Sequence, residues 1–360
     1  MKSDWYETTL GTCVRFQNGK KRPVEGGVIP VYGGNGVLDH TNRSNNRNCV
    51  IIGRVGAYCG SVFREKGICW VSDNAISATV KSDVDIDYIY YFLKNAGLNR
   101  RHIGTSQPLL TQEILNSISI YLPSLPTQKK IAAILSALDE KIAINRAIND
   151  NLQQQVATLF SSLYDRSNTE VRYLDLVQIF GGGTPKTGEN TYWNGNIAFF
   201  TPKDVGTPYT LITEKTITEE GLSHCNSRLY PVNTVFVTAR GTVGKVGMSG
   251  VPMAMNQSCY ALVGKETHQL LVYFYTLKAV DRLKHKASGA VFDAITTRDF
   301  ESEQIMKLSD DDAKAFLCIA EPMFQKVLNN SIENLRLSTL RDSLLPKLMS
   351  GEIDVSAVQL

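Results

Sequence analysis

The chain has 360 residues, a formal net charge of +3, 43% hydrophobic and 20% charged side chains, a composition suited to a folded protein with room for two cores. No run of about 18 apolar residues occurs, which argues against a membrane span, and the start Met1-Lys2-Ser3-Asp4-Trp5 lacks the apolar stretch of a secretory signal. Seven cysteines with no C-x-x-C pair argue against a disulfide framework or zinc site and for reduced thiols in a cytoplasmic protein.

Residues 1–122 read as mostly β. Short runs rich in β-branched residues, Cys49–Ile52 and Ile76–Val80, are separated by Gly, Asn and Asp, and Asp87–Asn95 reads as one short helix. Residues 123–165 are predicted to form a spacer helix, from near Thr127 to Tyr164. Ile131, Leu135, Leu138, Ile142, Leu152, Val156, Leu159 and Leu163 fall on one heptad stripe. Its length of roughly 55 Å exceeds the width of a small domain, so it must pack on another long element.

Residues 166–308 repeat the plan, with strands at Thr234–Thr238 and Ser258–Val263 and a helix at Leu270–Lys286. Residues 309–360 form a second long helix and a tail. Ser309 is placed to cap that helix, and Asp310, Asp311 and Asp312 suit its positive end. Positive charge is in excess only in the two non-helical blocks, with 14 basic against 10 acidic residues over 1–125 and 15 against 13 over 166–308. That surplus permits a polyanionic partner without indicating one.

The second half restates the first. The pattern near Gly104 recurs near Gly289, and Lys141-Ile142, Asn145 and Asn149 recur as Lys326-Val327, Asn330 and Asn334, all at an offset of 185 residues. A period of half the chain is a domain duplication, not a solenoid repeat. The two helices then pair antiparallel, with Asn145 facing Asn334 and Asn149 facing Asn330. Ile142 meets Leu337, Leu152 meets Val327, Leu135 meets Leu344, and Val156 meets Met323. Leu138 falls opposite Arg341, which would have to snorkel. Asparagines in an apolar seam fix register at some cost in stability; the other reading leaves them facing solvent at a loosened mid-section. The predicted fold class is α+β: two mostly-β domains related by internal duplication, separated by two long antiparallel coiled-coil helices.

Motifs for chemistry are missing. Phe180-Gly181-Gly182-Gly183-Thr184 has Thr184 where a methyl-donor loop needs a further glycine, and no Asn-Pro-Pro-aromatic motif exists. Gly241-Thr242-Val243-Gly244-Lys245 is followed by Val246, so it is not a phosphate-binding loop. No Glu-x-Lys or Gly-x-Ser-x-Gly occurs. His40, His102, His224, His268 and His285 show no metal-ligand spacing. No intrinsic active site and no metal site are expected.

Contact chemistry recurs instead. Arg54 enters a glycine-punctuated turn running to Val62, and this loop is matched, arginine to arginine, to the one that Arg240 enters and that runs to Val246. Such turns expose backbone N–H groups, and arginine binds guanine or phosphate bidentately. Asp73-Asn74-Ala75 is matched to Asn256-Gln257-Ser258, whose amides could read adenine edges. The plainer reading is a tight hairpin whose Asn satisfies its own backbone. Candidate contacts are Lys20, Lys21, Asn35, Arg54, Tyr58, Asn74 and Arg101 in the first block, and Lys186, Trp193, Lys203, Arg240, Lys245, Asn256, Gln257 and Lys284 in the second. The candidate helix seam is Ile142, Asn145, Asn149 and Leu152 with Val327, Asn330, Asn334 and Leu337.

With these residues in view, the chain resembles a DNA-specificity subunit of a type I restriction–modification system. The likeness is carried by Leu122-Pro123-Ser124-Leu125-Pro126-Thr127-Gln128-Lys129-Lys130-Ile131 and by Leu340 to Ile353 (LRDSLLPKLMSGEI). The arginine-glycine loops and the stretch from Gly183-Thr184-Pro185 to Tyr192-Trp193 add to it. The resemblance implies two target-recognition domains, each reading one half of a split, asymmetric double-stranded DNA site. It also implies conserved helices that set the gap and dock two methyltransferase subunits, with restriction translocase subunits as further partners. S-adenosylmethionine would sit on the methyltransferase and no cofactor on this chain. At 360 residues the chain is short for that family, which implies trimmed recognition domains. The alternative is a non-catalytic two-headed coiled-coil scaffold whose heads bind proteins.

Overall fold

A computed structural model of the chain describes residues 5–81, 83–104, 107–206, 208–286 and 294–358. The recurrence around Gly289 lies outside the described residues. The chain divides into two compact units, Met1–Ile142 with Arg336–Leu360, and Ala143–Leu335. The division falls inside both long helices. Each unit therefore takes a part of each helix, where a segmentation drawn on the sequence cuts at their ends.

In the first unit six strands lie in the order Val14–Asn18, Ala75–Val80, Asn46–Gly53, Val62–Val71, Ile29–Gly33 and Gly36–Thr41. All neighbours are antiparallel except Ile29–Gly33 against Val62–Val71. Asn46–Gly53 is central, and Cys49, Val50, Ile51 and Ile52 are all fully buried. Burial on both faces explains why this run is continuous in hydrophobicity instead of alternating. Cys49 and Cys69, twenty positions apart, meet with sulfurs 3.7 Å apart, and that contact with burial pushes the Cys69 thiol far above its ordinary range. The helix Ile86–Asn95 is capped by Asp85, whose carboxylate accepts from Asp87 N and Tyr88 N. Its buried Tyr88, Ile89, Tyr91 and Leu93 pack with Ile131 and Leu135 of the central helix and with Leu345 and Leu348 of the distal helix. Gln128 joins this corner: it accepts from Asp85 N at 2.9 Å and donates to Pro123 O at 2.8 Å.

In the second unit five strands lie in the order Val177–Gly181, Cys259–Gly264, Val235–Thr238, Val246–Ser249 and Tyr209–Thr210. Beside them Lys215–Ile217, Trp193–Phe200 and Met253–Met255 form a three-stranded sheet. The helix Gln269–Lys286 covers the larger sheet with a mostly buried face. Phe160, Phe274 and Phe316 form an aromatic cluster with ring centroids 4.9–5.6 Å apart, joining two long helices to the domain helix. Such rings bury large apolar areas and add edge-to-face and offset contacts.

The central helix runs Leu125–Asp165 and the distal helix Asp310–Met349. Ser309 Oγ accepts from Asp312 N at 3.1 Å, and its hydroxyl together with Arg166 holds the Asp312 carboxyl below the usual range. Within the second unit the helices run antiparallel. Asn145 Nδ2 donates to Asn334 Oδ1 at 3.0 Å and to Glu333 at 2.7 Å. Asn330 Nδ2 donates to Asn149 Oδ1 at 2.8 Å, and Asn149 donates to Val327 O and Ser331 Oγ. Asn145, Asn149 and Asn330 are buried rather than facing solvent. Within the first unit Arg341 does not snorkel past Leu138. It pairs with the neighbouring Asp139 at 2.5 Å, and Tyr91 donates to the same carboxylate at 2.8 Å. Among the described residues no helix is long and apolar enough to cross a membrane.

The amide pair makes a measurable statement. Asn330→Leu alone should destabilise the chain by about 1–3 kcal/mol, because it strands the buried Asn149 carbonyl. Adding Asn149→Leu should recover most of that loss, since two apolar groups leave nothing unsatisfied. Urea denaturation of the four-member cycle tests this; strictly additive losses would count against the pair.

Candidate nucleic-acid interface

In the first unit four loops converge at one end of the sheet. Gly34-Asn35 turns the hairpin between Ile29–Gly33 and Gly36–Thr41. A Cβ on Gly34 would stand 3.6 Å from Tyr58 Cβ, 3.7 Å from Asn74 O and 3.7 Å from Gly53 Cα. The Ser61 hydroxyl donates to Gly34 O. Arg54 N donates to Asn74 O at 2.9 Å, Leu110 N donates to Arg54 O at 2.9 Å, and Lys20 N donates to Val71 O at 3.0 Å. Lys20, Asn35, Arg54, Tyr58 and Asn74 are thereby gathered, all exposed except the half-buried Arg54. Arg54 Nε is buried without a hydrogen-bond partner among the described residues. Lys21 is exposed beside Lys20. Arg101 stands apart, its Nε donating to Ala96 O at the end of the short helix.

The second unit repeats the backbone bonds of this frame. Ala239 N donates to Ser258 O at 2.8 Å, Ile295 N to Ala239 O at 2.9 Å, and Gly183 N to Met255 O at 3.1 Å. Asn256 N donates to Phe200 O at 2.9 Å, as Ser72 N does to Tyr32 O at 2.8 Å. Val55 bridges Leu109 and Arg240 bridges Ala294. The hydrogen bonds thus correct the matching made on residue type. Arg54 corresponds to Ala239, and Arg240 corresponds to Val55. Asn74 corresponds to Ser258, Asp73 to Gln257 and Ser72 to Asn256. Arg54 and Arg240 share a residue type but stand one place out of the 185-residue register.

Both turns hang on left-handed glycines, Gly56 (φ +71) and Gly60 (φ +88) in one, Gly241 (φ +82) and Gly244 (φ +73) in the other, a conformation that a Cβ strains. Gly182 is needed for another reason: a Cβ there would meet Asn256 O at 2.0 Å, as one on Gly19 would meet Ser72 O at 1.9 Å. Close backbone approach thus accounts for Gly182, and for Gly183, whose Cβ would stand 2.6 Å from Asn226 N, whereas a Cβ on Gly181 would meet nothing within 4 Å.

The second-unit candidates separate by what they touch. Arg240 and Lys245 are exposed on the turn, which lies against Pro202-Lys203 through the Thr242 hydroxyl donating to Pro202 O at 3.2 Å. Lys203 lies 3.7 Å from Glu214. Gln257 is exposed and accepts from the Thr184 hydroxyl. Asn256 is half-buried and its Oδ1 accepts from Ser258 N at 3.0 Å, the self-satisfied turn. Trp193 is half-buried; its Nε1 donates to Lys186 O at 3.1 Å, its ring packs edge-on to Phe199, and Lys215 lies over it. Lys186 is exposed in the loop that Trp193 anchors. Lys284 Nζ donates to Gly244 O at 2.8 Å. Its neighbours are also engaged: Lys286 and Arg282 flank the fully buried Glu303 at 2.5 and 2.8 Å. The run Lys284-His285-Lys286, which reads in sequence as a basic patch, is therefore largely spent on the fold. Among the described residues no group of three or more His, Cys, Asp or Glu side chains is placed to hold a metal.

Comparison with known proteins follows the same two-fold division. The family model for the type I restriction modification DNA specificity domain matches residues 2–154 and again 167–307. The HindI specificity subunit of Haemophilus influenzae is 24% identical over 328 residues, covering 68% of this chain and 71% of that protein. The EcoprrI specificity subunit of Escherichia coli is 31% identical over 140 residues, 36% of this chain and 35% of that one. The crystal structure of a type I restriction–modification S subunit from M. genitalium matches with a TM-score of 0.68 at 17% identity. That match spans 97% of this chain and 98% of that one, a likeness of fold.

Proposed function

We propose a function from the premise that this chain belongs to the type I restriction–modification DNA specificity family, whose domain it contains twice. The chain recognises a DNA target in two different halves, one per unit, and directs partner subunits to it. One observation carries the reading. Four backbone hydrogen bonds of the loop frame are repeated while the side chains it presents differ: Lys20, Arg54, Asp73 and Asn74 against Gly183, Ala239, Gln257 and Ser258. A shared frame favours a shared way of docking on the duplex, and unlike side chains favour unlike bases. The target is accordingly split and asymmetric.

Such a subunit needs no chemistry of its own. Methyl transfer, with its S-adenosylmethionine and its flipped base, belongs to two methyltransferase subunits docked on the paired helices, and cleavage belongs to a restriction translocase. The work is done in the cytoplasm, where the DNA is. The family match favours DNA over a protein as the ligand of the two heads.

The test is methylation mapping of a host genome with this chain present and deleted, its partner methyltransferase being expressed in both. Loss of one split, asymmetric methylated motif on deletion is expected. An unchanged methylome would refute the reading.

A further inference from the structure

In the first unit the glycine turn rests on the short turn Leu98–Arg100 that follows the domain helix, and in the second on the end of the domain helix itself. In the first unit a Cβ on Gly60 would lie 2.4 Å from Asn99 N and 2.7 Å from Leu98 C, so the turn sits directly on backbone. In the second, the corresponding Gly244 faces the Lys284 side chain, with a Cβ reaching its Cε at 2.5 Å. Lys284 and Asn99 stand at the same offset of 185 residues as the rest of the repeat. The two turns are closed alike at their base, Gly60 N donating to Gly53 O at 2.8 Å and Gly244 N to Thr238 O at 2.9 Å. Between its left-handed glycines the second turn is one residue shorter, Gly241 to Gly244 against Gly56 to Gly60. At this shorter turn the helix end reaches the backbone through a side chain, the Lys284 ammonium donating to Gly244 O at 2.8 Å.

We infer that Lys284 is a positioning residue for recognition by the second unit: it holds the Gly244 carbonyl, and through it the placement of Arg240 and Lys245, and does not itself pair with a phosphate. The inference rests on the reading that this turn meets DNA. Its chemistry differs from that of a contact lysine. A phosphate contact releases a counterion and contributes to the salt dependence of binding, at about 0.9 in the log–log slope per phosphate neutralised. A brace contributes none. Its loss loosens the turn and weakens whatever the turn's own side chains do. Lys286 and Arg282 do not replace it, because Glu303 holds both.

The experiment uses the full chain assembled with its methyltransferase subunits. The probe is a duplex carrying the motif recovered from the methylated genome of cells expressing that complex. Wild type, Lys284→Met, Lys284→Arg and Lys245→Met are titrated across a salt series, and the methylome of each is mapped. Lys284→Met is expected to weaken binding by about 10-fold at every salt concentration with the slope unchanged, the scale of losing one charged hydrogen bond, and to relax the motif in one half only. Lys284→Arg, which keeps a donor, should restore most of the affinity. Lys245→Met is the contrast and should lower the slope. A slope reduced by about 0.9 in Lys284→Met would overturn the inference, as would unaltered affinity and motif. Failure of the wild-type complex to bind the duplex would instead defeat the DNA-recognition reading, so the two failures are distinguishable.

Discussion

Replacing residues 166–308 by the corresponding block of another specificity subunit should change one half of the methylated motif and leave the other half intact. The reason lies in how the chain closes its cores. Among the described residues each buried apolar cluster lies within one unit, such as that from Leu10 to Val355 in the first and that from Val156 to Phe324 in the second. A graft between residues 166 and 308 therefore exchanges core residues of the second unit. The graft must still seat on the retained helices. Met306 N, inside the exchanged block, donates to Tyr164 OH of the retained central helix at 3.2 Å. A donor block with an aromatic face equivalent to Phe274 and Tyr275 should fold on Phe160 and Phe316; one without it should fail to assemble. Long-read methylation mapping of cells carrying the chimera reads the result. A motif changed in both halves would mean that the units do not read independently.

The largest single-residue effect is expected at Phe316. This ring is fully buried on the distal helix, 5.6 Å from Phe160 and 5.5 Å from Phe274, both edge-to-face. Phe316→Ala removes a ring from a cluster drawn from three helices, which cannot easily collapse inward, and should destabilise the second unit by about 3–5 kcal/mol. Ile319, on the same helix but 48% exposed, is the control, and Ile319→Ala should stay within about 0.5 kcal/mol. Urea unfolding followed by near-ultraviolet circular dichroism compares them. A loss below about 1 kcal/mol for Phe316→Ala would show that the cluster is not what fixes the helix to its sheet.

Much of the architecture could be read from residue order because it rests on short-range rules. The central helix was expected from near Thr127 to Tyr164 and runs Leu125–Asp165; the short helix was expected at Asp87–Asn95 and runs Ile86–Asn95. Heptad spacing, a capping serine and acidic first-turn residues are local signals, and repetition at a fixed offset set the pairing of Asn145 with Asn334. Loop matching was less legible. Residue type aligned Arg54 with Arg240, whereas the backbone donors align Arg54 with Ala239, since side-chain identity carries no record of which carbonyl a neighbouring N–H will meet.

Amino-acid order by itself determined the duplication, the β-rich heads, the paired helices and their register, because periodicity and offset survive without knowledge of long-range contact. Only the tertiary structure decided which polar residues are free to act. Lys284, Trp193 and Asn256 looked like contacts in sequence, and the fold engages each of them internally. Arg240 and Lys245 looked no different and stand exposed on their turn, while Gln257, though exposed, is held by the Thr184 hydroxyl. A lysine ammonium or an asparagine amide serves a carbonyl or a partner molecule equally well, and distance alone, set by distant parts of the chain, decides between them.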